Sequence, residues 1–210
     1  MIDVSEHLDE AVPLPILRAE VYFSLQAKFL CDDDNKPLKQ KAKGPLLPLP
    51  SFAKFGQVLV STVVRRQGRQ ALADHYHEVF RLAQQYRKRA DSIGYYFWMR
   101  PELCSLRGSI GFAWHDTYPQ TAHVLQALQA SGDNRNLFVG LEQGWQLNIY
   151  ATAHEVYFGV GKDTDDVPGI VYRTNRARLV SQAAAALAQT RELLAYLVQE
   201  TGHNPWGYRP

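Results

Sequence analysis

Hydrophobic and polar positions alternate over residues 18–29. Ala19, Val21, Phe23, Leu25, Ala27 and Phe29 fall on one side, and Arg18, Glu20, Tyr22, Ser24, Gln26 and Lys28 on the other. Period two with aromatic and β-branched content predicts a strand with one buried face. Leu17, Val21, Leu25 and Phe29 also recur every four residues, so a helix is the rival reading of the same stretch. Residues 31–50 predict a loop, because Asp32–Asn35 favours a turn and Gly44, Pro45, Pro48 and Pro50 oppose regular structure. Ser51 is placed to cap a helix running to about Arg66, with Phe52, Phe55, Leu59, Thr62 and Val63 on one face and Gly68 as its breaker. Leu72, Tyr76, Val79, Phe80, Ala83 and Tyr86 mark a second amphipathic helix over about 70–90, ending in Arg87, Lys88 and Arg89.

Beyond Gly94 the pattern turns mostly to short strands: Tyr95–Met99, Ser109–Trp114, Leu137–Glu142, Trp145–Ala151 and Val156–Val160. Pro119 opens a helix that turns Val124, Leu125 and Leu128 inward. Gly132-Asp-Asn is a turn and Asp163–Gly169 an acidic loop. A long helix over about 174–201 buries Leu179, Ala183, Ala186, Thr190, Leu194 and Leu197, and Gly202 and Pro205 stop it. The expected class is α+β. The expected organisation is a basic β-α-α unit over 15–91, an α+β unit over 92–202 for dimerisation or partner contact, and a tail over 203–210.

A hydrophobic content of 46% in 210 residues is enough for a packed core. Cys31 and Cys104 are the only cysteines, too few for a disulfide scaffold or a cysteine-rich zinc module. The first fifteen residues hold Asp3, Glu6, Asp9 and Glu10 in place of a basic start and apolar run, so no signal peptide is expected. There is no apolar run of membrane-spanning length either. A cytoplasmic protein without a membrane partner is the expectation.

Charge changes the picture more. Residues 15–90 hold fourteen Lys/Arg against six Asp/Glu, a net +8, while the other 134 residues hold nine against fifteen, a net −6. A basic block inside a nearly neutral chain is the footprint of nucleic-acid binding, since each cation at a phosphate releases condensed counterions. The blander reading is a basic solvated surface.

Catalytic and metal motifs fail on spacing. Gly159-Val-Gly-Lys162 has Val156 where a phosphate loop needs glycine and Asp163 where it needs Ser/Thr. Asp163, Asp165 and Asp166 lack the glycine and glutamate of an EF-hand; Pro168 and Thr174 stand there. His75 and His77 are two apart on a helix and point away from each other. Gly108-Ser109-Ile-Gly111 has Arg107 where a nucleophile elbow needs glycine. His115-Asp116 and His154-Glu155 would make a metal-dependent hydrolase only if the fold brought them together. No enzyme activity and no cofactor is expected.

A strand followed by two amphipathic helices, with basic residues on all three, is the order of a ribbon-helix-helix DNA reader. There, strands from two chains pair into a ribbon that lies in the major groove. The candidate base-reading residues are Arg18, Tyr22, Ser24, Gln26 and Lys28: glutamine pairs with adenine, and Lys or Arg donates to guanine. The candidate phosphate contacts are Lys36, Lys39, Lys41 and Lys43 in the loop, and Arg65, Arg66 and Arg69 around the inter-helix turn. A loop of twenty residues is long for such a unit.

Leu17-Arg18-Ala-Glu20-Val21 with Leu25, then Pro48-Leu49-Pro-Ser-Phe52, then Ala73-Asp74-His-Tyr76, carry a resemblance, with a looser echo over Leu106–Leu128. On these residues, about half the chain, it resembles the AcaB-like transcriptional regulators of conjugative plasmids and integrative elements. The resemblance implies sequence-specific binding of double-stranded DNA to activate transfer genes, with Arg18, Glu20 and the polar positions after them facing the groove. The expected partners are duplex DNA, a second copy in a homodimer, since one strand cannot make a two-stranded ribbon, and RNA polymerase. Residues 136–161 and the last helix have no counterpart in it. The alternative is a non-catalytic protein-binding module, an inhibitor or assembly factor, that presents Tyr95, Tyr96, Phe97, Trp98, Trp114, Trp145, Trp206 and Tyr208 as a partner surface; plain core packing of those aromatics is the simpler account.

Overall fold

A computed structural model describes residues 3–15, 18–31, 43–54, 56–63, 66–112, 117–142, 144–162, 164 and 168–210. The chain is mixed α and β and forms two compact units, neither continuous in sequence. One comprises Met1–Glu20, Arg100–Ala113 and Thr121–Ala188; the other comprises Val21–Met99, Trp114–Gln120 and Gln189–Pro210. This differs from the expected division at residue 91. Local pattern reports where elements lie, whereas the units are defined by contacts between segments far apart in sequence.

The first unit is built on a five-stranded sheet. Its strands are β1 (Val12–Pro13), the later β8 (Arg135–Glu142), β9 (Trp145–Ala151), β10 (Glu155–Gly161) and β11 (Ile170–Asn175), in the order β1-β11-β10-β9-β8. All neighbours are antiparallel except β1 and β11. The short strands expected over 145–151 and 156–160 form: Leu147, Ile149 and Ala151 register with Val160, Phe158 and Val156 on one face, and all but Val160 are buried. On the other face Tyr157 and Val171 bury against Val4 and Ala11, where Val4 belongs to a 3₁₀ segment, Val4–Glu10. Strand β11 escaped the sequence reading, because Arg173 and Asn175 interrupt its apolar run.

Arg176, the first residue of helix α4 (Arg176–Thr201), clamps this unit. Nη1 donates to Asp133 Oδ1 (2.8 Å) and Thr152 O (2.6 Å), and Nη2 to Ala130 O (2.9 Å) and Gly132 O (2.8 Å). The planar fork thus satisfies carbonyls from two turns at once. The predicted inward residues of α4, Leu179 to Leu197, are all buried. Helix α3 (Tyr118–Gln129) likewise turns Val124, Leu125 and Leu128 inward.

The second unit gathers β3 (Lys28–Leu30), β4 (Lys43–Leu46), β5 (Gln57–Leu59), the short α1 (Val60–Val63) and α2 (Arg66–Gln85). Strand β2 (Arg18–Ser24) enters it from Val21 onward. Leu72, Tyr76, Val79 and Ala83 on α2 are buried, as their spacing predicts, whereas Phe80 of the same expected face is half-buried and Tyr86, beyond the end of the helix, is exposed. Trp206 is fully buried, edge-on to Tyr76 (5.0 Å) and Phe97 (5.4 Å). The tail is therefore part of the core here: Tyr118 N–H donates to Trp206 O (2.7 Å).

Four expectations fail locally. The loop expected over 31–50 contains strand β4, which runs through Gly44 and Pro45. The helix expected over 52–66 is interrupted by a turn at Gly56 (φ 71°) and by β5. A Cβ at Gly56 would lie 2.7 Å from Leu25 O, so the backbone comes too close there for a helical side-chain layer. Gly68 breaks nothing; it sits buried inside α2. Tyr95–Met99 is mostly a 3₁₀ segment, Asp91–Phe97, with β6 (Met99–Ser105) following. Strand β7 (Gly108–Gly111) pairs antiparallel with β6. Among the described residues no helix is long and apolar enough to cross a membrane.

Candidate nucleic-acid interface

The predicted reading strand forms only in part. β2 ends at Ser24; Gln26 lies beyond it in irregular backbone, and Lys28 opens a separate strand. The expected polar face is open to solvent only at its two ends, and Ala27 of the expected buried face is exposed. Arg18 is exposed and lies 3.5 Å from Glu20, whose side chain is only 4% exposed. Tyr22, Ser24 and Gln26 are half-buried, and Lys28 is exposed.

Nor is β2 free to pair with a second chain at its C-terminal end. Tyr22, Phe23 and Ser24 register with Leu59, Val58 and Gln57 of β5. Successive amides point to opposite sides of a strand: Ser24 N–H donates to Trp98 O (2.9 Å), and Leu25 N–H donates to Gly56 O. Both edges are occupied there, so the ribbon expected from two copies of residues 18–29 is corrected. Alternation reveals which faces a strand has, and says nothing of what lies along its edges.

Of the predicted phosphate contacts, Lys36, Lys39, Lys41 and Arg65 lie outside the described residues. Lys43 begins β4 and Arg66 begins α2. Arg69 is already engaged: Nη1 donates to Glu192 (3.1 Å), and its guanidinium lies 5.2 Å from the Tyr196 ring centroid. Sequence reasoning missed this, since the partners are more than 120 positions away.

An antiparallel ribbon does exist in the second unit, within one chain. Lys28 registers with Leu46 and Leu30 with Lys43, with an irregularity between the two pairs. Its inner residue is Phe29, fully buried and stacked on Tyr96 (5.4 Å, 8°) and on Tyr86 (5.9 Å). Lys28 and Leu46, opposed in register on its outer face, are exposed. The Tyr96 hydroxyl accepts from Leu30 N–H (2.8 Å) and donates to Lys28 O (3.4 Å), pinning β3. Gly44 is required in β4: a Cβ there would fall on Cys31 Sγ and 3.0 Å from Phe29 O. The signal for this ribbon was in the sequence, as two short stretches flanking the turn-forming Asp32–Asn35.

The chain matches no family model, no curated protein and no solved structure.

The two units differ in charge. Read from the sequence, the second holds fifteen Lys/Arg and nine Asp/Glu, a net +6, and the first holds eight and twelve, a net −4. In the second unit Glu78 and Asp91 are matched by Arg81 and Arg89 (both 2.7 Å). Among the described residues Lys28, Lys54 and Arg87 are exposed and hold no carboxylate.

The histidine motifs separate. His75 is buried with Nδ1 2.8 Å from Pro48 O, so Nδ1 carries the proton and burial holds the imidazole below its ordinary pKa. His77 is exposed beside Pro48, Asp74, Glu78 and Arg81. His115 and Asp116 lie outside the described residues. His154 is exposed, and Glu155 is held by Arg173 (2.9 Å) and the Tyr157 hydroxyl (2.8 Å). Among the described residues no three His, Cys, Asp or Glu side chains converge as for a metal. Of the aromatics considered as a partner surface, Tyr96, Phe97 and Trp206 are buried, Tyr95, Trp98, Trp145 and Tyr208 are partly covered, and Trp114 lies outside the described residues.

Proposed function

We propose that this chain is a non-catalytic, sequence-specific double-stranded DNA-binding protein that regulates transcription, and that its groove-entering element is the β3–β4 ribbon of a single chain. The observation that carries this reading is an antiparallel ribbon with a buried inner face and a lysine on its outer face, set in the unit with net charge +6. A two-stranded ribbon fits the width of the B-DNA major groove. Lys28 and Lys43 sit at the ends of its two register pairs, and the chain joining the strands adds Lys36, Lys39 and Lys41. The excess positive charge raises the local concentration of duplex. Along the chain the ribbon is followed by strand β5 and then by helices α1 and α2. The resemblance to regulators of conjugative transfer genes points the same way.

The test is fluorescence anisotropy with duplexes selected from a random pool and with unselected duplex, across a salt series. The expected result is a preference for selected sequences and a log–log salt slope of about −4, for four or five neutralised phosphates. Lys28→Ala and Lys43→Ala should each shrink that slope by about one. Absence of binding in low salt, or a slope that neither lysine changes, rules the reading out.

A further inference from the structure

The five-stranded sheet ends in strand β8, Arg135–Glu142, eight residues with no proline and no lysine, and among the described residues nothing pairs with its outer edge. Val139 and Leu141 on it are 40% and 55% exposed. Open edges of this length are normally blunted by proline, lysine or shortness. We infer that β8 is a dimerisation strand that pairs antiparallel with β8 of a second copy, about a two-fold axis at Val139.

The register supports a second copy over an unrelated strand. Opposed residues in an antiparallel pair share a face, and a two-fold pairing matches each position with its mirror about the axis. The pairing of β8 with β9 shows how its positions count. From Val139↔Asn148, one direction runs Gly140↔Leu147, Leu141↔Gln146, Glu142↔Trp145. The other runs Phe138↔Ile149, Asn136↔Tyr150, Arg135↔Ala151, with Leu137 the extra residue at an irregularity. Three steps from Val139 therefore reach Glu142 one way and Arg135 the other. Both positions share a face, because Trp145 and Ala151 do on β9.

Symmetric pairing about Val139 thus sets a glutamate position opposite an arginine position twice, at the two ends of the ladder. Without the extra residue, the two charges would fall on opposite faces and out of register. The inner pairs match in size as well, Phe138 against Gly140. Gly140 has no room for a larger residue, since a Cβ would lie 2.8 Å from its own Phe138 ring. A strand that places opposite charges and a large–small pair at mirrored positions is complementary to itself, as an isologous interface requires. This inference stands independently of the nucleic-acid reading.

Sedimentation equilibrium on the full chain tests it. The expected species is twice the 23.8 kDa chain mass. Arg135→Glu and Glu142→Arg each place like charges opposite at both ends, and should each weaken the dimer by about tenfold. The double variant, Arg135→Glu with Glu142→Arg, should recover the wild-type constant. Val139→Lys puts two ammonium groups at the axis and should give a monomer with an unchanged far-UV circular dichroism spectrum. A wild-type chain still monomeric at about 100 μM overturns the inference, whether or not the edge then accepts a strand from another protein. So does a dimer that survives Val139→Lys, or single charge reversals that the double variant fails to repair.

Discussion

Removing the Tyr96 hydroxyl tests whether the ribbon is held as its geometry suggests. Tyr96→Phe keeps the ring, and with it the near-parallel stack on Phe29 at 5.4 Å. It deletes the acceptor of Leu30 N–H at 2.8 Å and the donor to Lys28 O at 3.4 Å. The second bond is long and contributes little. The first leaves a part-buried amide without its acceptor, a loss of about 1–3 kcal/mol. Taking about 1.4 kcal/mol, local opening of β3 becomes about tenfold more populated. Amide hydrogen exchange reads this directly. Leu30 should exchange about tenfold faster in Tyr96→Phe, while Leu147 and Ile149, in the other unit, keep their rates. Duplex affinity should fall by less than the exchange rate rises, because only the open fraction of the ribbon is lost to binding. Unchanged exchange at Leu30 would falsify the account of how the ribbon is pinned, and with it the claim that the ribbon is prepared for a groove.

Other perturbations have equally definite outcomes. Trp206→Ala empties a fully buried site and should cost about 3–5 kcal/mol in urea unfolding followed by circular dichroism; a loss under about 1 kcal/mol means the tail does not belong to the core. Arg176→Lys keeps the charge but not the fork that serves four acceptors, and should lower the calorimetric midpoint by about 6–12 °C, corresponding to about 3 kcal/mol; an unchanged midpoint contradicts the clamp. Burial lowers the His75 pKa, so the unfolded chain binds this proton more readily than the folded one. Stability is therefore level above the ordinary value of 6.5 and falls as pH drops below it, by up to about 1.4 kcal/mol per pH unit until the folded imidazole titrates. His75→Phe should flatten the urea midpoint between neutral pH and pH 5; a slope that survives in His75→Phe belongs to another group.

What was legible in the sequence was what short-range pattern controls. Strands β8, β9 and β10 and helix α4 lie where the short apolar runs and period 3.6 place them, and the inward residues expected of α4 are buried as the spacing requires. The misread stretch at 52–66 has helical spacing by coincidence. What decides it is the approach of Leu25 O to Gly56, a contact made across thirty residues that no local window contains. Glu20 and Arg69 follow the same logic. Each belongs to a polar pattern that reads as a solvent face, yet Glu20 is buried and Arg69 is committed to Glu192 and Tyr196. The charge segregation was visible along the chain and survives as a difference between units. The antiparallel ribbon of the basic unit is β3–β4 within one chain, a different element from the one expected of two copies of residues 18–29.

The opposite border of the sheet has its own bearing on assembly. Leu14 N–H donates inward to Arg173 O (2.8 Å), so the preceding nitrogen, that of Pro13, lies on the outer side, where proline has no hydrogen to offer. A molecule sticky along both margins would add copy after copy and grow into a fibre. Here the margin at Pro13 has no amide hydrogen to offer at that position, so a pair formed through β8 would find a poor acceptor for a further strand on the far side of this sheet.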